Sequence, residues 1–184
     1  MTHPRAIHIV KTALSLRVCV PLSLLQERLG EPVAGAGAIL AAQIDALVRA
    51  EKLGYYPALD FFAQREGIDR GLLAAHEEAA RFVRAYVEQE VRARLWPAFS
   101  HVRVVNIQSV AFALPGVRPS QPGALAVLIQ HYTPTLVKID LVVSSLKKGA
   151  AGEGAERAAA QQACWWLREC FESVEVSDAR VVAE

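Results

Sequence analysis

From about Arg70 to Leu95 the apolar side chains recur at helical spacing. Leu72, Ala79, Val83, Val87 and Val91 share one face at about 100° per residue, and Glu77, Arg81, Arg84, Glu88 and Arg92 share the other. The pattern predicts a long amphipathic helix that stops at Trp96-Pro97. Glu77 with Arg81 and Glu88 with Arg92 stand in the favourable i,i+4 order of surface ion pairs. Three polar residues, His76, Glu90 and Arg94, fall inside the apolar stripe, and Glu90 reaches Arg94 by the same spacing. An ion pair in a dry core would cost several kcal/mol of desolvation. The C-terminal end of the stripe is therefore expected at an edge or against another chain.

The N-terminal stretch carries two periods at once. Ile7, Val10, Leu14 and Val18 fit a helical stripe, whereas Leu14, Leu16, Val18 and Val20 alternate as in a strand. The expectation is a helix that becomes extended near Arg17. Pro21 opens a short helix over Leu22 to Leu29, stopped by Gly30, because a proline lacks only an N–H that a first turn does not use. A longer helix is expected from about Ala34 to Leu53, with Val33, Gly37, Leu40, Ile44, Leu47 and Val48 on one face and Ala38, Ala42, Ala46 and Ala50 behind. Gly54 ends it, and an aromatic cluster from Tyr55 to Phe62 precedes a turn at Gly67.

After the long helix, β-branched runs predict strands over Val102 to Leu114, Ala124 to Tyr132 and Leu136 to Leu146. The Pro- and Gly-rich loop from Pro115 to Gly123 and the tight link Thr133-Pro134-Thr135 suit an antiparallel meander. A Gly-rich linker over 149–154 leads to a helix from about Ala155 to Ser173 and a last strand from Val174 to Val182. The expected fold class is α+β, with a helical N-terminal part at residues 1–66. Residues 67–184 supply a long helix and a mostly antiparallel sheet with helices on one face, the two parts being either separate or one continuous domain.

The segments AIHIVKTALSLRVCVPLSLLQERLG and AQIDALVRAEKLGYY, within residues 5–56, resemble a winged helix-turn-helix. In that resemblance Leu25, Leu29, Ile44, Leu47 and Leu53 take the family's core positions. Gln43, Arg49 and Lys52 would be the contacts to nucleic acid, since DNA readers need cationic and amide side chains at the groove. The chain departs from the pattern between Gly30 and Ile44, which is longer than the usual turn and rich in Ala and Gly.

Composition narrows the classes further. The 184 residues are 53% hydrophobic and 21% charged, with a net charge of +1, which fits a folded domain with a real core and argues against disorder. The same balance argues against a dedicated nucleic-acid coat or a polybasic membrane protein. Charge is nonetheless polarised. Residues 101–148 carry Arg103, Arg118, Lys138, Lys147 and Lys148 against Asp140 alone, while 149–184 carry three arginines against seven acids. The acidic segment is expected to fold beside the basic one, or the basic one to receive an acidic partner. The three cysteines, Cys19, Cys164 and Cys170, form no CxxC pair, so neither a disulfide framework nor a zinc site is expected and a cytoplasmic setting is the default. Lys11 and Arg17 interrupt any leader-like apolar run, and nothing approaches the ~20 apolar residues of a membrane helix.

Catalytic motifs are not assembled. His76-Glu77-Glu78-Ala79-Ala80 begins like a zinc-protease helix but has Ala80 where the second histidine ligand must stand. Gly35-Ala36-Gly37 lacks the third glycine of a dinucleotide loop. Gln108, Gln130, His131, Lys138 and Asp140 lie on neighbouring expected strands, yet Asp140 is the one carboxylate there and a divalent metal usually takes two or more. No cofactor or metal is expected.

Trp165 stands apart. On the last helix Ala163, Trp166, Leu167, Cys170 and Phe171 fall on one side, which leaves Trp165 among Gln161, Arg168, Glu169 and Glu172 on the other. An exposed tryptophan buries a large apolar area once covered and is enriched at binding hot spots. The sequence therefore favours a non-enzymatic protein-interaction or assembly subunit, by partner or self-association, through Trp165, Arg168, Glu169, Glu90 and Arg94. A winged-helix nucleic-acid-binding regulator comes second, and an enzyme drawing its groups from distant segments third.

Overall fold

The computed structural model describes residues 7–49, 69–109, 135–148 and 154–183. They form β1 (Ile7–Cys19), α1 (Leu22–Leu29), α2 (Glu31–Arg49), α3 (Arg70–Leu95), β2 (His101–Ser109), β3 (Leu136–Lys148), α4 (Ala155–Leu167) and β4 (Ser173–Val181). The strands make a four-stranded antiparallel sheet in the order β2-β3-β1-β4, and the fold is α+β. No helix among the described residues is long and apolar enough to cross a membrane. The expected strand over Ala124 to Tyr132, the aromatic cluster after Gly54 and the boundary at residue 66 lie outside the described residues.

The described residues fall into two compact units. One holds 7–20, 84–108, 137–148 and 154–183, and the other holds 21–49, 69–83, 109 and 135–136. In the sheet unit, β1 is the corrected element: the stretch expected to be a helix is a strand throughout. Val10, Thr12, Leu14, Leu16 and Val18 are buried on one face while Lys11 and Arg17 are exposed on the other. Burial of every second residue outweighs the coincident i+4 spacing, because a strand inside a sheet has ladder partners on both sides. Val137, Ile139, Leu141 and Val143 of β3 supply the same core. The stripe Val87, Val91 and Leu95 of α3 and the small face Ala155, Ala159 and Ala163 of α4 are buried in this unit as well. Those alanines let α4 approach β4 and β1 closely.

The α4 helix ends at Leu167, short of the expected Ser173. The Leu167 carbonyl accepts from the amides of Cys170 and Phe171, a tight turn that frees the chain to enter β4. At the start of β2, the Ser144 carbonyl accepts from both the amide and the hydroxyl of Ser100, at 2.9 Å each.

In the helical unit, α1 packs on α2. Gly30 between them has φ 88° and ψ 161°, a conformation open essentially only to glycine. The α2 helix starts earlier than expected because Pro32 belongs in its first turn. Asp69 caps α3, its Oδ1 accepting from the amides of Gly71 at 2.8 Å and Leu72 at 3.2 Å. Leu25, Leu40, Leu73, His76 and Ala79 are buried here. The first helix of the winged-helix resemblance corresponds to β1, and its end at Leu53 to Tyr56 lies outside the described residues.

Candidate partner-binding edge

Among the described residues, the strand order gives β4 one neighbour, β1, and leaves its other edge open. Which of its backbone groups face outward follows from the ladder. The Val182 amide donates to the Lys11 carbonyl at 2.9 Å, so the odd-numbered residues of β1 bond toward β4 and the even-numbered ones away from it. The register pairs Ala13 with Arg180, Ser15 with Asp178, Arg17 with Glu175 and Cys19 with Ser173. These β4 residues spend their amides and carbonyls on β1. Val174, Val176, Ala179 and Val181 oppose even-numbered β1 residues and turn theirs to the open edge.

Between Ser15 and Leu16 the register slips by one residue, and Ser177 is the extra residue of β4. Its hydroxyl donates to the Ser15 carbonyl at 3.0 Å, which fastens the bulge. Without this bulge, Val174 and Val176 would share a face with Asp178 and Arg180. With it, Val174, Val176, Ala179 and Val181 all lie on the helix side of the sheet.

The α4 helix lies beside this edge and supplies Trp165, which is 71% exposed. The indole lines a depression of about 360 Å³ together with Arg157, Ala160, Gln161, Cys164, Arg168 and Val176. Arg157, Gln161, Cys164, Trp165 and Arg168 follow the i, i+4, i+7, i+8, i+11 spacing of one helix face. Val176 is 39% exposed and continues the apolar surface onto the strand. Two guanidinium groups thus frame an apolar floor. Burial raises the Cys164 thiol pKa, with Arg168 pulling the other way.

The other expected interface residues, Glu90, Arg94 and Glu169, form an ion-pair chain. Arg94 donates from Nε to Glu90 at 3.4 Å and from Nη1 to Glu169 at 2.9 Å. The hydrogen bond to Glu90 raises the Arg94 pKa above its ordinary value. Both ion pairs are part-exposed, the edge position that desolvation cost demands. Nearby, the Tyr86 hydroxyl donates to the Cys170 carbonyl at 3.3 Å, and its ring meets Phe171 edge-on at 6.2 Å. Burial first, and Glu90 second, push up both the Tyr86 hydroxyl and the Cys170 thiol, the latter to about 11.

The sheet face away from α4 mixes charged side chains with exposed apolar ones, Ile7, Ile9 and Val105 among them. Ser15 Oγ donates to Asp140 Oδ1 at 2.5 Å, and Arg103, Asp140, Asp178 and Arg180 line one depression. Residues 101–148 contribute Arg103 and Asp140 to this depression and residues 149–184 contribute Asp178 and Arg180, one cation and one carboxylate from each segment. Among the described residues, no three His, Cys, Asp or Glu side chains converge as a metal site would require. His76, the first residue of the truncated zinc-protease pattern, is instead in the core of the helical unit, where burial pushes its pKa down to about 4.

Of the residues expected to meet nucleic acid, Gln43 accepts the Asp69 amide through Oε1 at 2.9 Å and so helps hold the start of α3. The side chain of Arg49 and all of Lys52 lie outside the described residues, as do Gln130 and His131. Sequence reasoning picked out Trp165 but missed the β4 edge, because a bulge and a strand order depend on distant partners. Comparison with family models, curated proteins and solved structures finds no match for this chain.

Proposed function

We propose that this chain is a non-enzymatic protein-interaction or assembly subunit, and that its partner seats along α4 and the open edge of β4. The observation that carries this reading is Trp165. A side chain of that size is 71% exposed beside a strand with outward-turned amides and carbonyls. Covering the indole gains apolar burial, and pairing the edge satisfies main-chain groups, the two terms that drive β-strand addition. Arg157 and Arg168 at the rim add orientation more than affinity.

The test is the variant Trp165→Glu in the full chain, compared with the parent by native mass spectrometry from gentle salt. A lost complex with an unchanged circular dichroism spectrum supports the reading. An unchanged set of assemblies overturns it.

A further inference from the structure

We propose that the occupant of this edge is a second copy of the chain, added by antiparallel pairing of β4 with β4 about a two-fold axis between Ser177 and Asp178. The proposal rests on the interaction reading above and names the partner.

The outward-turned residues Val174, Val176, Ala179 and Val181 are spaced so that one register satisfies all of them. In it Val174 faces Val181 of the second copy and Val176 faces Ala179 of the second copy. Each of these pairs exchanges N–H···O=C bonds in both directions. All four side chains already lie on the helix side of the sheet, so apolar meets apolar across the seam. Ala179 is the smallest of them, which leaves room beside Val176 for the indole of Trp165.

On the opposite face the same register sets Glu175 against Arg180 of the second copy, and the two-fold repeats the pair. Glu175 already stands beside Arg17 on β1, so the carboxylate would lie between two guanidinium groups. A slip of one residue turns outward amides against inward ones and places Val174 opposite Arg180. A slip of two residues in one direction sets Glu175 against Asp178. In the other direction it abandons Val174 and opposes Arg180 to Ser177. The self-complementarity depends on the Ser177 bulge, because an unbulged strand would carry Val174 and Val181 on opposite faces. An isologous two-fold contact requires such a match of a surface with itself.

The experiment is sedimentation velocity on the full chain over a concentration series, with Glu175→Arg, Arg180→Glu, their equimolar mixture and the double variant. The parent is expected to dimerise. Each single variant puts like charges at both copies of the pair and should weaken the dimer by about tenfold. The mixture restores both pairs within a heterodimer, and the double variant restores them within a homodimer, so recovery in either separates a charge effect from misfolding. A dimer indifferent to both single variants, or one that neither combination rescues, overturns the proposal. A parent that stays monomeric but loses a different protein on Trp165→Glu overturns the self-pairing and leaves the interaction reading standing. A monomer that binds no protein through Trp165 overturns both.

Discussion

The amide hydrogen of Val182 is bonded to the carbonyl oxygen of Lys11, and this one contact sets the phase of the whole β1–β4 ladder. It divides β4 into residues whose amides point at β1 and residues whose amides point away. The division is measurable. Under conditions that keep the chain dissociated, NMR-detected hydrogen exchange should show slow amides at Glu175 and Arg180 and fast ones at Val174, Val176 and Val181. Raising the protein concentration should protect the fast set. Equal protection along the strand at every concentration would contradict the assigned phase.

Leu16 is fully buried in the centre of β1 and marks the stretch as a strand rather than a helix. Leu16→Ala leaves a cavity in the sheet core and should cost about 3 kcal/mol, read by urea denaturation. Arg17→Ala, on the exposed face one residue on, should cost much less. Equal losses would contradict the alternation.

Acid should weaken the helical unit through His76. Its side chain is 1% exposed, and burial lowers its pKa from 6.5 to about 4. The folded pKa lies below the unfolded one, so on acidification the unfolded chain takes up the proton first. The contribution is fully present above pH 6.5 and is lost as pH falls toward 4, by about 3 kcal/mol at most. Denaturation at pH 7.5, 6 and 4.5 should show this slope, and His76→Phe should flatten it. A parent slope unchanged in the variant would refute the assignment.

Thiol chemistry should separate Cys164 from Cys170. Cys170 is buried with its pKa pushed up to about 11, and Cys164 is half-buried with its pKa raised. Since the thiolate is the reacting species, iodoacetamide at pH 7.5 should leave Cys170 unmodified in the native chain and label Cys164 slowly. Both should react at ordinary rates in urea. Fast native labelling of Cys170, followed by peptide mass spectrometry, would contradict its placement.

The elements set by local periodicity were legible in the chain. The α3 helix runs from Arg70 to Leu95 as its stripe predicts, and the exposure of Trp165 follows from its place opposite Ala163 and Leu167. The first strand misled because Val10, Leu14 and Val18 satisfy a helical period while a buried polar residue, Thr12, interrupts the strand's apolar alternation. Only the neighbours β3 and β4 decide between the two, and they lie more than a hundred residues away. The same distance hid the edge. Nothing in Ser173 to Val181 announces that Ser177 bulges or that, among the described residues, β4 pairs with β1 alone. The Ser15 carbonyl that holds the bulge comes from the other end of the chain.

Protein binding along α4 and β4 can be read from native mass spectrometry of the full chain beside its Trp165→Glu variant. The parent should show an assembly above the monomer mass and the variant a monomer, with equal thermal unfolding midpoints. Identical mass distributions for the two chains would contradict it.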